Sequence, residues 1–240
     1  MKIFQYLNEK NIIHSLFLNG LLLILVSIVM TFKTSKPPVY LNHSNLKSTI
    51  IALELSSKIE HIHNILGGPE DERHTESIEL FKDSLVWDMF YIVLYVVFFS
   101  LLFELSIRYA NESNLYRIFF YFSILLAAVF DCLENYRISQ ILNARSEELV
   151  AVYLIDLKGY SLTKWISLFF GASLIGYLFW VSEKEISLKI SAFFLFPTFF
   201  LSLIGIQKLK LIEVSLGMLS FGLLFILFYI AKHTYHSFRK

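Results

Sequence analysis

The chain has 240 residues and a mass of 28.0 kDa; 56% of its residues are hydrophobic, 17% are charged, and the formal net charge is +1. Soluble domains carry roughly 25% charged residues, so this composition excludes an ordinary water-soluble enzyme and a disordered chain. The near-zero net charge excludes the concentrated basic surface of a nucleic-acid binder.

A bilayer core about 30 Å thick needs roughly 20 apolar residues of helix, and six windows approach or meet that length. The first covers residues 12–32. Lys2 and Lys10 precede it as a signal peptide's basic region would, but the apolar stretch exceeds the 7–15 residues typical of such a segment. No small-residue cleavage site follows, so the window reads as an uncleaved first span.

Residues 33–84 form an extramembrane helical loop inside a single integral membrane domain, 1–240. Lys36-Pro37-Pro38 is a stiff extended exit, because proline fixes its own φ and restricts its predecessor. Between 45 and 66, Ile51, Leu55, Ile59, Ile62 and Leu66 recur at helical spacing and predict one amphipathic helix. Gly67-Gly68 stops it. Pro69 then opens a second helix, with Glu70, Asp71 and Glu72 at its positive end; this helix runs through Phe81 into the second span. The loop reads as a cap over a membrane site, as a membrane-lying helix, or as a hairpin packed on its own bundle, and the hairpin is the simplest reading.

The second and third spans cover 85–107 and 115–135. Beyond them, 138–160 predicts a helical extension and an interfacial turn that Gly159 ends, with Ser161 or Thr163 capping the fourth span at 165–181. Lys164 and Trp165 read as interface anchors there. The fifth window, 190–206, is short and contains Pro197, which predicts a kink and a freed carbonyl that a neighbour must satisfy. The sixth covers 212–231. Small residues on span four (Ser167, Gly171, Ala172, Gly176) and span six (Ser215, Gly217, Ser220, Gly222) predict close helix packing. The fold class is therefore all-α: a polytopic membrane bundle of about six transmembrane helices plus amphipathic loop helices. Four spans with a re-entrant or interfacial pair is the competing architecture.

Six spans place both termini on one side. Basic residues are denser in the short segments on that side, which favours cytoplasmic termini in a bacterial inner membrane. The raw count favours the reverse, because the 33–84 loop is long.

Ionisable residues inside a membrane are the first place to look for function. Asp88 lies near the start of span two, and Asp131 and Glu134 lie near the end of span three, at matching depth in antiparallel neighbours. Asp131, Glu134 and Asn135 are spaced i, i+3, i+4 and share a helical face. The candidate binding site is thus Asp88, Asp131, Glu134 and Asn135, with Tyr91, Tyr136 and Arg137 within reach. Carboxylates gathered in a low dielectric need a proton, a cation or an arginine to balance them. A proton or cation relay, a divalent-metal site, and the headgroup end of a lipid pocket all satisfy that need; so does a bland role in which the carboxylates reach water or bond between helices.

The segment from Asp88 to Tyr95, the Leu133-Glu134-Asn135 helix end and Thr163-Lys164-Trp165 resemble short motifs of some uncharacterised bacterial multi-pass membrane proteins. The resemblance covers spans two to four and implies no activity.

His61 and His63 lie two apart on the predicted helix, pointing about 200° from each other, so they do not chelate one ion together. One of them faces the acidic residues in the metal reading. His14, His233 and His236 share the opposite end of the bundle, where Glu104 is the nearest acidic residue, and read as polar helix-end groups. The single cysteine, Cys132, excludes a disulfide framework and a cysteine-cluster metal site.

No metal ligand set or cofactor is assigned from the sequence. The best reading is a protein that binds or conducts a proton, cation or small polar solute at the acidic cluster. A non-catalytic accessory or assembly partner is the second, implying a second copy or another membrane protein beside the lipid bilayer. A membrane-embedded metal-dependent lipid hydrolase is the third.

Overall fold

The computed structural model describes residues 8–34, 46–182 and 185–238; the Lys36-Pro37-Pro38 exit lies outside them. The described elements are α1 (Glu9–Thr34), α2 (Thr49–Glu54), α3 (Ile59–Leu66), α4 (His74–Ala110), α5 (Leu115–Leu142), α6 (Glu147–Val181), α7 (Ile186–Leu195), α8 (Thr198–Gly205) and α9 (Lys210–Phe238). No strand occurs among the described residues. Six helical segments are long and apolar enough to cross a membrane, with α7 and α8 together making the fifth. The outer face is apolar in keeping with that: Leu18, Leu25, Phe122, Leu125, Phe193, Phe200, Phe221 and Phe228 are all exposed.

Hydrogen bonds fix the ends of the bundle. Tyr109, at the end of α4, donates to Glu9 Oε1 at the start of α1 (2.7 Å) and lies 2.8 Å from the Tyr229 hydroxyl near the end of α9. Both terminal helices therefore meet at one end. At the other end, Glu213 in the first turn of α9 accepts the backbone N–H groups of Lys47 and Ser48, each at 2.7 Å. That bond seats the segment leading into α2 on the bundle.

Two apolar cores stack along the bundle axis. The membrane core gathers Phe98, Phe103, Phe120, Phe169 and Phe179, with Phe103 and Phe120 stacked 4.1 Å apart. A second core, outside the most apolar windows, joins Ile51, Leu53, Ile62, Ile65 and Leu66 of α2 and α3 to Phe81, Ile138, Ile141, Leu154 and Leu157. Trp165 and Leu216 touch both cores, so the level of Trp165 is the seam between bundle and cap.

Several sequence expectations change here. The amphipathic helix predicted over 45–66 is two helices, broken after Leu55. Ser48 caps the first by accepting the Ile51 N–H, and the Ser56-Ser57 pair, a weak helix former, occupies the break. The apolar phase survives the break, since Ile51, Leu55, Ile62 and Leu66 are all buried. Pro69 does not open a helix. Residues 69–73 form a turn in which Asp71 accepts the Arg73 N–H and guanidinium, and α4 starts only at His74, whose Nδ1 lies 2.9 Å from the Gly67 carbonyl. The Arg73 hydrogen bonds hold the Asp71 carboxyl below the usual carboxylate range. From His74 onward α4 continues into the span without interruption, as expected.

Gly159 does not end a helix either. After a short turn at 143–146, Ser146 caps α6, which runs unbroken through Gly159 to Val181. Thr163 donates back to the Gly159 carbonyl inside the helix, and Ser161 donates both to Leu157 O and to Glu54 O. The fourth span is therefore long, at 35 residues.

Pro197 does interrupt the fifth span, between α7 and α8. Hydroxyls serve carbonyls around the break: Ser173 donates to Phe196 O, Thr198 to Leu195 O and Ser215 to Thr198 O. Gly176 makes this possible, because a Cβ there would sit 2.7 Å from the Phe196 backbone nitrogen. Gly171 packs on Ser123 and Phe120, and Gly222 on Leu195. Gly217 meets nothing within 4 Å and takes no part in the predicted packing stripe.

Candidate functional site

α4, α5 and α6 bring their polar residues together at the seam. In α5, Asp131, Glu134 and Asn135 are buried while Cys132 and Tyr136 are exposed. The i, i+3, i+4 spacing puts the three polar groups on one face, as the sequence predicted, and the structure turns that face to the bundle interior. Asn135 Nδ2 donates to Asp88 Oδ2 at 2.6 Å, tying α5 to α4. Tyr95, two turns further along α4, donates to Asp131 Oδ2 at 3.1 Å.

The organising residue is Lys164. Its ammonium lies 2.6 Å from Glu134 Oε1, 3.1 Å from Glu54 Oε1 and 3.2 Å from Asp131 Oδ1. It also sits 4.6 Å from the centre of the Trp165 ring, a cation–π distance. Trp165 donates its indole N–H to Glu54 Oε2 at 2.9 Å. Lys164 and Trp165 are therefore inward-facing members of the cluster rather than the interface anchors expected from sequence. Glu54 comes from α2 in the cap, so the loop reaches into the site and packs on its own bundle at once.

Lys164, Glu54, Asp131 and Glu134 are each no more than 6% exposed. Three carboxyl groups contact one ammonium, Asp88 adds a fourth beside them, and Glu134 Oε2 is buried with no hydrogen-bond partner. Burying a charge without a partner costs several kcal/mol, on the order of 3–5 when one member of a buried pair is missing. If every carboxyl were ionised, the cluster would hold three uncompensated negative charges. A proton or cation beyond Lys164 is what this arrangement accommodates.

A cavity of about 330 Å³ opens beside the cluster. Asp88, Asp131, Glu54 and Lys164 make its polar side, while Tyr91, Tyr95, Trp165 and Phe99 are among its walls.

Some expected members lie elsewhere. Arg137 pairs with Asp156 at 2.7 Å and donates to Gln140. Tyr136 is exposed and accepts from Gln140. The loop histidines do not face the acidic residues: the Ser57 N–H points at His61 Nδ1 (3.4 Å), and His63 lies 3.4 Å from Glu147. Burial and Lys58 hold the His61 imidazole below its usual range. Among the described residues no group of three or more His, Cys, Asp or Glu side chains is arranged to hold a metal ion, and an ammonium occupies the centre of the carboxylates. The donor set does not fit the metal reading.

At the opposite end, Glu104 is fully buried and held by Arg117 through two contacts of 3.2 Å and by the Tyr121 hydroxyl at 3.1 Å. The histidines at this end read from sequence as polar helix-end groups, and two of them bond near their own helix ends. His14 bonds the Lys10 carbonyl and His233 lies 3.1 Å from Glu185, while the side chain of His236 lies outside the described ones. Lys232 bonds both oxygens of Glu185, and those bonds lower its carboxyl's affinity for a proton. Asp88 and Glu104 are sixteen residues apart on α4, roughly 24 Å at 1.5 Å per residue, so the two buried acidic sites stand at different depths.

Compared with known proteins, the chain matches no family model, no curated protein and no solved structure.

Proposed function

We propose that this membrane protein reversibly binds a small cation, or the proton that replaces it, in the cavity beside Asp88. The observation that carries the reading is the charge imbalance: four carboxyls meet one lysine, and three of them are already committed to its ammonium. Asp88 lines the cavity and takes its hydrogen bond from the neutral Asn135 amide, which leaves it the carboxylate best placed to receive an incoming positive charge.

The test is thermal unfolding of the purified protein in nanodiscs at constant ionic strength, with sodium, potassium and tetramethylammonium exchanged in turn. At least one cation is expected to raise Tm, with acidification substituting for it, and Asp88→Asn is expected to abolish both effects. The Asn135 bond survives in that variant, because an asparagine carbonyl still accepts. A Tm indifferent to cation identity and to pH between 5 and 8 would contradict the reading.

The orientation proposed here puts both termini in the cytoplasm of a bacterial cell and the cap outside its inner membrane. In a Cys132→Ala background, Glu70→Cys should react with an impermeant maleimide added to intact cells, and Ser113→Cys should not. The reverse pattern would invert the topology.

A further inference from the structure

The cavity has a second opening that the cation reading leaves unused. A groove of about 580 Å³ lies between α1 and α9, with α4 as its floor. Leu23, Ile24 and Ile28 form one wall, Leu224 and Leu227 the other, and Phe98 lies beneath. Its far end is closed, because a Cβ on Gly20 would stand 2.9 Å from the Leu227 side chain. Its near end runs into the cavity: Ser27, Thr31, Tyr91, Ser220 and Leu223 line both spaces. The neck between them is bordered by hydroxyls that bond their own helices, Ser27 to Leu23 O and Ser220 to Leu216 O.

We propose that groove and cavity form one site for an amphiphile, with an ammonium head beside Asp88 and an apolar chain between α1 and α9. This rests on the cation-binding reading and names the chemistry of the ligand. The volumes of both spaces fall in the range of small-molecule sites, about 300–1,000 Å³. Within the membrane, a groove with apolar walls and a closed end is filled by a chain, and the bilayer supplies chains from the side.

The head is selected by charge. Among the described residues Lys164 is the single cation lining the cavity, and three carboxylates hold it. A phosphate or sulfate head would meet net negative charge with no free counter-charge. An ammonium meets Asp88, with the aromatic residues Tyr91, Tyr95 and Trp165 lining the same space. Carboxylate plus aromatic rings is the combination that recognises alkylated ammonium groups.

The experiment uses full-length protein in zwitterionic nanodiscs, with Trp87→Phe and Trp180→Phe so that Trp165 alone reports. Dodecyltrimethylammonium should change Trp165 emission saturably, and Asp88→Asn should weaken that response at least tenfold. Ile24→Phe, which narrows the groove at a position that does not line the cavity, should weaken it at least tenfold while leaving the response to chainless tetramethylammonium intact. Dodecyl sulfate should give no saturable response. If the two ammonium compounds respond alike and Ile24→Phe changes neither, the cation reading stands and the amphiphile proposal falls. If dodecyl sulfate matches dodecyltrimethylammonium, charge selection is wrong and the proposal falls. If neither ammonium compound binds, the amphiphile proposal falls, and the cation reading stands or falls on the sodium, potassium and pH series.

Discussion

Lys164→Met should destabilise the folded protein by about 3–5 kcal/mol, the cost of leaving a buried charge without its partner. Among the described residues the ammonium is the single positive group within 3.2 Å of Glu54, Asp131 and Glu134. The substituted thioether offers none of them a hydrogen bond. The chain has two responses: it protonates the carboxyls, or it opens the cap so that Glu54 reaches water. Both lower stability at neutral pH, and both are relieved by removing carboxylates. Lys164→Met combined with Glu134→Gln should therefore recover part of the loss, since Glu134 makes the shortest contact and carries the unpartnered Oε2. Reversible denaturation in nanodiscs or mild detergent measures both variants. A Lys164→Met protein as stable as the parent would show that the lysine is not the centre of the cluster.

Arg117→Met should have the second-largest effect, about 3 kcal/mol by the same reasoning, at the other end of the bundle. Glu104 is fully buried, and Arg117 grips both its oxygens as a two-pronged donor, leaving Tyr121 alone to hold it in the variant. Glu104→Gln in the Arg117→Met background should restore most of the stability, because the stranded charge is gone. Arg117→Lys should rescue incompletely, since an ammonium lacks the planar fork that matches a carboxylate. Cation binding at the cavity should be unchanged in every one of these variants, roughly 24 Å away at 1.5 Å per helical residue. Loss of cation binding in Arg117→Met protein that remains folded would mean that the two acidic sites are coupled through α4.

The apolar windows, read residue by residue, located the six crossing segments because a bilayer imposes a length and a polarity that single sequences display directly. The depth argument for Asp88, Asp131, Glu134 and Asn135 also held in the geometry, since antiparallel neighbours joined by a short turn have little freedom to misalign. Helix ends were harder. Gly159 and Pro69 are ordinary punctuation marks, yet α6 continues through one and α4 waits until five residues past the other. Bonds beyond the punctuating residue outweigh its preference in both places: Ser161 on α6 reaches Glu54 O in the cap, and His74 closes the turn on the Gly67 carbonyl.

Lys164 and Glu54 were the residues that sequence reading placed wrongly or passed over. A lysine beside a tryptophan at the start of an apolar run is what an interface anchor looks like, and nothing local distinguishes an inward lysine from an outward one. For Glu54 a signal was available. It follows Ile51 by three residues and precedes Leu55 by one, so it sits on the apolar face of its helix. An acid in phase with buried isoleucines and leucines needs a partner, and the partner had to come from the bundle beneath. Hydrophobic periodicity identifies which face is buried but not what lies opposite, and Lys164 lies 110 residues away in sequence.

The central claim is that the cap completes the site, with Glu54 of α2 bonded to Lys164 of α6. A double-mutant cycle between Glu54→Gln and Lys164→Met, read by equilibrium unfolding in nanodiscs, tests it most directly. Residues in direct contact within one ion-pair network couple by about 0.5–3 kcal/mol, and coupling in the upper half of that range is predicted here. Additive single effects, with coupling indistinguishable from zero, would contradict it and leave the cap as a hairpin resting on the bundle.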